Sequence, residues 1–169
     1  MIFTSESGLT EPSRRDAWDE WYLGHLAAMA AVPGIASAQR FRALDDGPPP
    51  SLAMYTVASP AVFQNELYVK VRGMGPFVSV VDESVHRRNL FEGLDEAPRV
   101  AVGGILLVAD RAAAGPGLTW LRAVGLDRST PYRGVGIFPD LAAARQATAG
   151  LDGAVALYAA ISDRFSPPV

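Results

Sequence analysis

The chain contains no cysteine. Disulfides, thiolate metal sites, iron–sulfur clusters and cysteine nucleophiles are therefore excluded together, and the redox compartment is left open. Lysine is almost missing as well. Lys70 is the only one, and the formal net charge is -3, so there is no basic field to hold a phosphate backbone and nucleic acid is not an expected partner. The arginines are scattered apart from Arg14-Arg15 and Arg87-Arg88. No apolar run approaches the ~18 residues of a membrane span. Met1 to Ser7 also lacks the basic start and apolar core of a signal peptide, so a cytoplasmic protein without membrane contact is expected. Histidine is limited to His25 and His86, far apart in sequence and without a carboxylate cluster, so no metal site is expected. Neither Gly103-Gly104 nor Gly134-x-Gly136 has the strand, G-x-G-x-x-G and helix order of a dinucleotide loop. No G-x-S-x-G nucleophile elbow occurs.

What is present is ordinary globular composition. With 169 residues, 49% hydrophobic and 20% charged, the chain suits one domain, or two small halves sharing a core. Met1 to Ser5 reads as a strand, and Gly8 to Ser13 supplies a turn and cap for a helix running to about Ala31. Along that helix Trp18, Trp21, Tyr22, His25, Met29 and Val32 recur at spacings of three and four, which places His25 in the apolar stripe. Pro33-Gly34 ends the helix, Ile35 to Leu44 reads as a strand, and Asp45 to Pro50 as a turn. Ser51 to Ala58 is a second strand, paired antiparallel with the first, and Pro60 opens another helix to about Val71. Phe77 to Val81 and Val85 to Phe91 are each possible strands.

The second half reads as a degraded copy of the first. Val100 to Ala109 is a buried strand, and Leu118 to Val124 is a short helical segment carrying Trp120. Val135 to Ala147 answers Met29 to Phe41, with Phe138-Pro139 matching the aliphatic-Pro turn. Ala154 to Ser162 answers Ser51 to Ser59, which brings Tyr55 and Tyr158 into register. The expected units are 1–97 and 98–169, the second ending at Pro167-Pro168-Val169 without its second helix.

The segment W-x-x-W-Y-x-x-H-L from Trp18 to Leu26, the V-P-G-I turn from Val32 to Ile35 and the A-Q-R-F strand from Ala38 to Phe41 resemble the dimeric α/β-barrel superfamily, and within it are similar to the EthD-like group. The resemblance implies an α+β fold of tandem ferredoxin-like units whose antiparallel sheet closes a barrel with helices outside. Closure would occur within a monomer, as an internal pseudo-dimer, or across a homodimer. Relatives of this pattern commonly carry an acidic residue just before the histidine, where this chain has Gly24. The second copy has no histidine near Trp120, so any chemistry carried over rests on the first half.

His25 is the sharpest candidate, because a neutral imidazole in an apolar pocket exchanges one proton near neutral pH. The plainer reading is a histidine that packs and bonds a strand carbonyl. Tyr55 is the candidate acid partner, or else a core residue like Tyr158. Trp18, Trp21, Tyr22 and Met29 are candidate walls for a flat substrate. Arg40 is either an anchor for a carboxylate or enolate, or part of an ion pair. His86-Arg87-Arg88 offers a haem ligand and propionate partners on one reading, and a surface turn on the other. The leading expectation is a cofactor-independent enzyme acting on a small aromatic or polyketide-like molecule by His25-assisted proton transfer, leading to cyclisation, isomerisation or elimination. The alternatives are a non-catalytic ligand-binding or structural barrel, and a cofactor-free or haem-dependent monooxygenase.

Overall fold

The computed structural model describes residues 1–167, so the last two positions of the second expected unit, 168–169, lie outside the described residues. Strand alternation sorts side chains onto two faces. In β1 (Ile2–Ser7), Ile2 joins an apolar layer on one side of the sheet and Phe3 a different layer on the other. The same split runs through β2 (Ile35–Ala43) and β3 (Ser51–Val57), where Phe41, Leu52 and Met54 face inward while Ala38, Ala53 and Tyr55 face outward.

Five more strands complete the sheet: β4 (Arg87–Glu92), β5 (Ile105–Arg111), β6 (Thr119–Leu126), β7 (Tyr132–Phe138) and β8 (Ala154–Ala160). They close an antiparallel barrel in the order β1-β3-β2-β8-β5-β7-β6-β4. The first half thus runs β4-β1-β3-β2 and the second β8-β5-β7-β6, each the strand order of a ferredoxin-like unit. The seams, β2 with β8 and β4 with β6, both lie within one chain, so the barrel closes without a second copy. Its interior is apolar around Phe41, Leu52, Phe91, Leu106 and Leu121, with one buried charge cluster. Arg133, 1% exposed, lies 2.5 Å from Glu6 and 2.7 Å from Asp110, which gives the buried cation the partners it needs.

Outside the first half lies α1 (Arg15–Ala30), entered through a 3-10 turn over Pro12–Arg14. Trp18, Tyr22, Leu26 and Met29 are buried against the outer face of β1, β3 and β2, as their three- and four-residue spacing predicts. The turn after the helix closes at Gly34, whose φ of +90 belongs to the left-handed region and whose added Cβ would lie 2.6 Å from Val62. The helix expected from Pro60 to Val71 is split into a 3-10 turn, Pro60–Gln64, and α2 (Glu66–Val71). Asn65 breaks it, being extended at ψ 134 and accepting from the Leu67 N–H at 2.9 Å. Among the described residues no helix is long and apolar enough to cross a membrane.

The second half departs from the expected copy in several places. Leu118 to Val124 is not helical but forms most of β6, because pairing with both β4 and β7 supplies its backbone partners. The helix after Phe138-Pro139 is α3 (Leu141–Thr148), capped by Asp140 accepting from the Ala143 N–H at 2.8 Å. The copy matched Leu141 to Ala147 with the strand residues Ile35 to Phe41, but the segment is helical and joins the third and fourth strands of its unit, the place of α2 in the first half. The second half therefore keeps its second helix and lacks its first. Tyr158 stands in the strand equivalent to β4 and faces the barrel interior, whereas Tyr55 faces outward, so the two tyrosines do not correspond. The strand expected at Val100 starts at Ile105, because the Gln39 side chain holds the Val100 carbonyl at 2.6 Å and its N–H at 3.3 Å before the chain turns at Gly103-Gly104. Phe77 to Val81 is mainly a 3-10 helix, Gly75–Val80, lying over α1 with Phe77 and Val80 buried.

Candidate active site

Between the outer face of the first half and its helices lies a cavity of about 290 Å³. Phe3 and Ser5 of β1 and Tyr55 of β3 form its floor, and their outward direction follows from the alternation described above. Tyr22, His25 and Met29 line one wall, on one face of α1 because they are spaced by three and four. Met74, Val78 and Val81 close the top. Tyr68 and Arg72, at α2 and its end, and Glu83, His86 and Arg88, near the start of β4, form the rim.

His25 is held by rings. Trp21 stacks on it at 4.9 Å between centroids and 17° between planes, and Tyr22 meets it edge-on at 5.3 Å. No described residue makes a hydrogen bond with its ring nitrogens, so both stay available to a ligand. Burial, and secondarily the positive charge of Arg40, push its pKa down to about 4. At neutral pH the imidazole is uncharged and able to accept a proton.

The phenols respond to burial in the opposite sense. Tyr55, stacked on Phe3 at 5.1 Å, is pushed well above the usual tyrosine range by burial and by the neighbouring Tyr22. Tyr22 is raised by burial, with Arg40 opposing. Both remain protonated at neutral pH, and a protonated phenol is able to donate a hydrogen bond. The cavity thus joins a neutral acceptor imidazole to two neutral phenols.

The other expected site residues fall elsewhere. Arg40, 2% exposed, is committed to the protein. Its guanidinium lies 2.7 Å from Asp19, 4.1 Å above the Tyr22 ring and 4.5 Å above that of Trp18, and its Nε donates to Ser51 Oγ at 3.0 Å. Arg40 and Trp18 border a separate crevice of about 10 Å³. Trp21 supports His25 from behind rather than lining the cavity. The structure thus brings His25, Tyr55, Tyr22 and Met29 together and leaves Trp18, Trp21 and Arg40 outside.

Sequence reasoning weighed His86 and Arg88 only as a haem site or a surface turn and did not join them to His25, and it missed Tyr68, Arg72 and Glu83 of the rim. His86 belongs to the same cavity as His25, with its Nδ1 buried and lacking a partner among the described residues. The signal was the period of two that sets His86, Arg88 and Leu90 on one face of a strand. Leu90 joins the outward apolar layer, as that period requires.

No family model and no curated protein matches the sequence. Solved structures do match. One provisionally assigned as a chlorite dismutase superposes with a TM-score of 0.61 at 12% identity, covering 95% of this chain and 95% of that one. An anthrone oxidase-like protein gives 0.59 at 12% identity, covering 98% and 92%. A protein of Fusobacterium nucleatum provisionally assigned as a monooxygenase gives 0.55 at 7% identity, covering 99% and 95%.

The chain has the dimeric α/β-barrel fold. The likeness is one of fold, and it does not single out the EthD-like group. The outer cavity of ~290 Å³ sits at the lower end of the range of ligand pockets. Among the described residues no group of three or more histidines, aspartates and glutamates is arranged to hold a metal ion.

Proposed function

We propose that this protein is a cofactor-independent enzyme that removes a proton from a small, flat, largely apolar molecule carrying a carbonyl or phenol. His25 takes the proton. A Tyr22 or Tyr55 hydroxyl donates a hydrogen bond to the oxygen on which negative charge develops. The ring system rests on Phe3 and Tyr55, and Trp21 stacking fixes the imidazole plane. Return of the proton at another position gives isomerisation, attack of the carbanion on an internal carbonyl gives cyclisation, and departure of a β-leaving group gives elimination. The observation that carries the reading is the neutral, unbonded imidazole opening on the same cavity as two protonated phenols.

Incubation of 2-tetralone with the protein in D2O tests this directly. Exchange of the α-hydrogens for deuterium should be faster with the protein than in buffer, and the gain should vanish in His25→Ala. No acceleration, or full acceleration by a folded His25→Ala variant, would remove the assignment.

A second reading shares the first step, and the fold likeness to an anthrone oxidase-like protein favours it. Here the carbanion reacts with O2 instead of rearranging. For anthrone, one O2 converts the CH2 to a ketone and releases one water. Oxygen consumption in step with anthrone loss, dependent on His25, selects this branch, and proton exchange without oxygen consumption selects the first.

A further inference from the structure

The rim of the cavity carries different chemistry from its floor. Arg72 has no ion pair or side-chain hydrogen bond with any described residue, although it borders the cavity. Arg88 borders it too, and its guanidinium lies 4.0 Å from Asp127, the outer limit of an ion pair. Both act on the same phenol, since Arg88 and then Arg72 draw the Tyr68 pKa down against the burial that raises it. His86 adds the buried, unpartnered Nδ1. Against two guanidiniums the lining holds one carboxylate, the exposed Glu83. A neutral apolar ligand would leave these cations unused and the His86 nitrogen unbonded, whereas a carboxylate accepts two or more charge-assisted hydrogen bonds in one place.

We propose that the cavity takes an aryl or conjugated carboxylate, its carboxylate held at the rim by Arg72 and Arg88 with His86 as a third polar contact, and its ring system on Phe3 beside His25. This deepens the proton-transfer reading and rests on it.

Calorimetric titration of the full chain with 2-naphthoate and with 2-naphthamide, an uncharged analogue of nearly the same shape, tests the assignment. Naphthoate should bind at least about tenfold more tightly than naphthamide, a difference that one good charge-assisted contact supplies. Arg72→Ala combined with Arg88→Ala should erase that difference, weakening naphthoate by about tenfold or more and naphthamide far less. Both side chains are substantially exposed, so the double variant should fold, and circular dichroism checks this. Equal binding of the two probes by wild type, or naphthoate affinity unchanged in the folded double variant, overturns the carboxylate assignment and leaves the small-molecule site standing. Binding of neither probe by folded wild type overturns both.

Discussion

The outer faces of the two barrel halves share a strand order but are covered in different ways. Over the first half α1 crosses β1, β3 and β2, and large side chains from helix and sheet meet around a gap that becomes the cavity. Over the second half no helix joins β5 to β6, and Leu118 and Trp120 lie directly on β7. They can do so because the outward positions of β7 are Gly134 and Gly136. A Cβ on Gly134 would lie 2.7 Å from Leu118 and 3.0 Å from Trp120, whereas in the matching strand β3 the outward residues include Ala53 and Tyr55. Side chains laid on glycine close a face, while a helix standing on tyrosine leaves room. Both histidines of the chain also lie in the first half. Aromatic residues occur on both faces, so their presence does not mark a site. The gap and the titratable group within it do.

The most severe way to break this contrast is His25→Ala, which should lower turnover by about 10²- to 10⁴-fold, the usual contribution of a positioned general base. Steady-state kinetics beside circular dichroism checks it. No substitution of Trp120 should do the same.

Gly134→Leu attacks the closed face. Displacing Leu118 and Trp120 should cost about 1–3 kcal/mol of stability, read as a lower midpoint in urea, with ligand binding on the first half kept. The acid response of His25 should follow in size. Its folded pKa of about 4 lies below the ordinary value near 6.5, so the unfolded chain binds the proton more readily. The stability this contributes is present above pH ~6.5 and lost as pH falls from ~6.5 to ~4. After allowance for the residue's partial exposure it is on the order of 2 kcal/mol. The difference in unfolding midpoint between wild type and His25→Phe across that window isolates it. The smallest effect on stability, within about 1.5 kcal/mol, is expected of Met29→Phe, which partly fills the cavity. It should still weaken binding of any ring-bearing ligand measurably by calorimetry.

Legibility in the sequence follows the same division. Pro12, the aromatic spacing from Trp18 to Met29, Pro33-Gly34 and the Asp45 to Pro50 turn are local signals, and they placed α1, β2, β3 and the outward histidine nearly to the residue. In the second half the decisive interactions are distant. The Thr119–Leu126 segment becomes a strand through β4 and β7, and the start of β5 is delayed by the Gln39 side chain about sixty positions upstream. A shared apolar-Pro step matched α3 to strand β2, since such a step marks a chain reversal without saying which element follows it. The loss of Arg40 and Trp18 from the cavity has a similar cause. Strand alternation puts Arg40 on the correct face, but Asp19 and Ser51 then hold it away from the gap.

Histidine-selective ¹⁵N NMR during a titration with 2-naphthol, a flat neutral probe, examines the contrast between the two faces most directly. The chain has two imidazoles to follow, and the Trp120 indole N–H reports on the closed face. The account predicts that the His25 and His86 signals shift together along one saturation curve while Trp120 stays still. Movement of Trp120 with both imidazoles unmoved would contradict it.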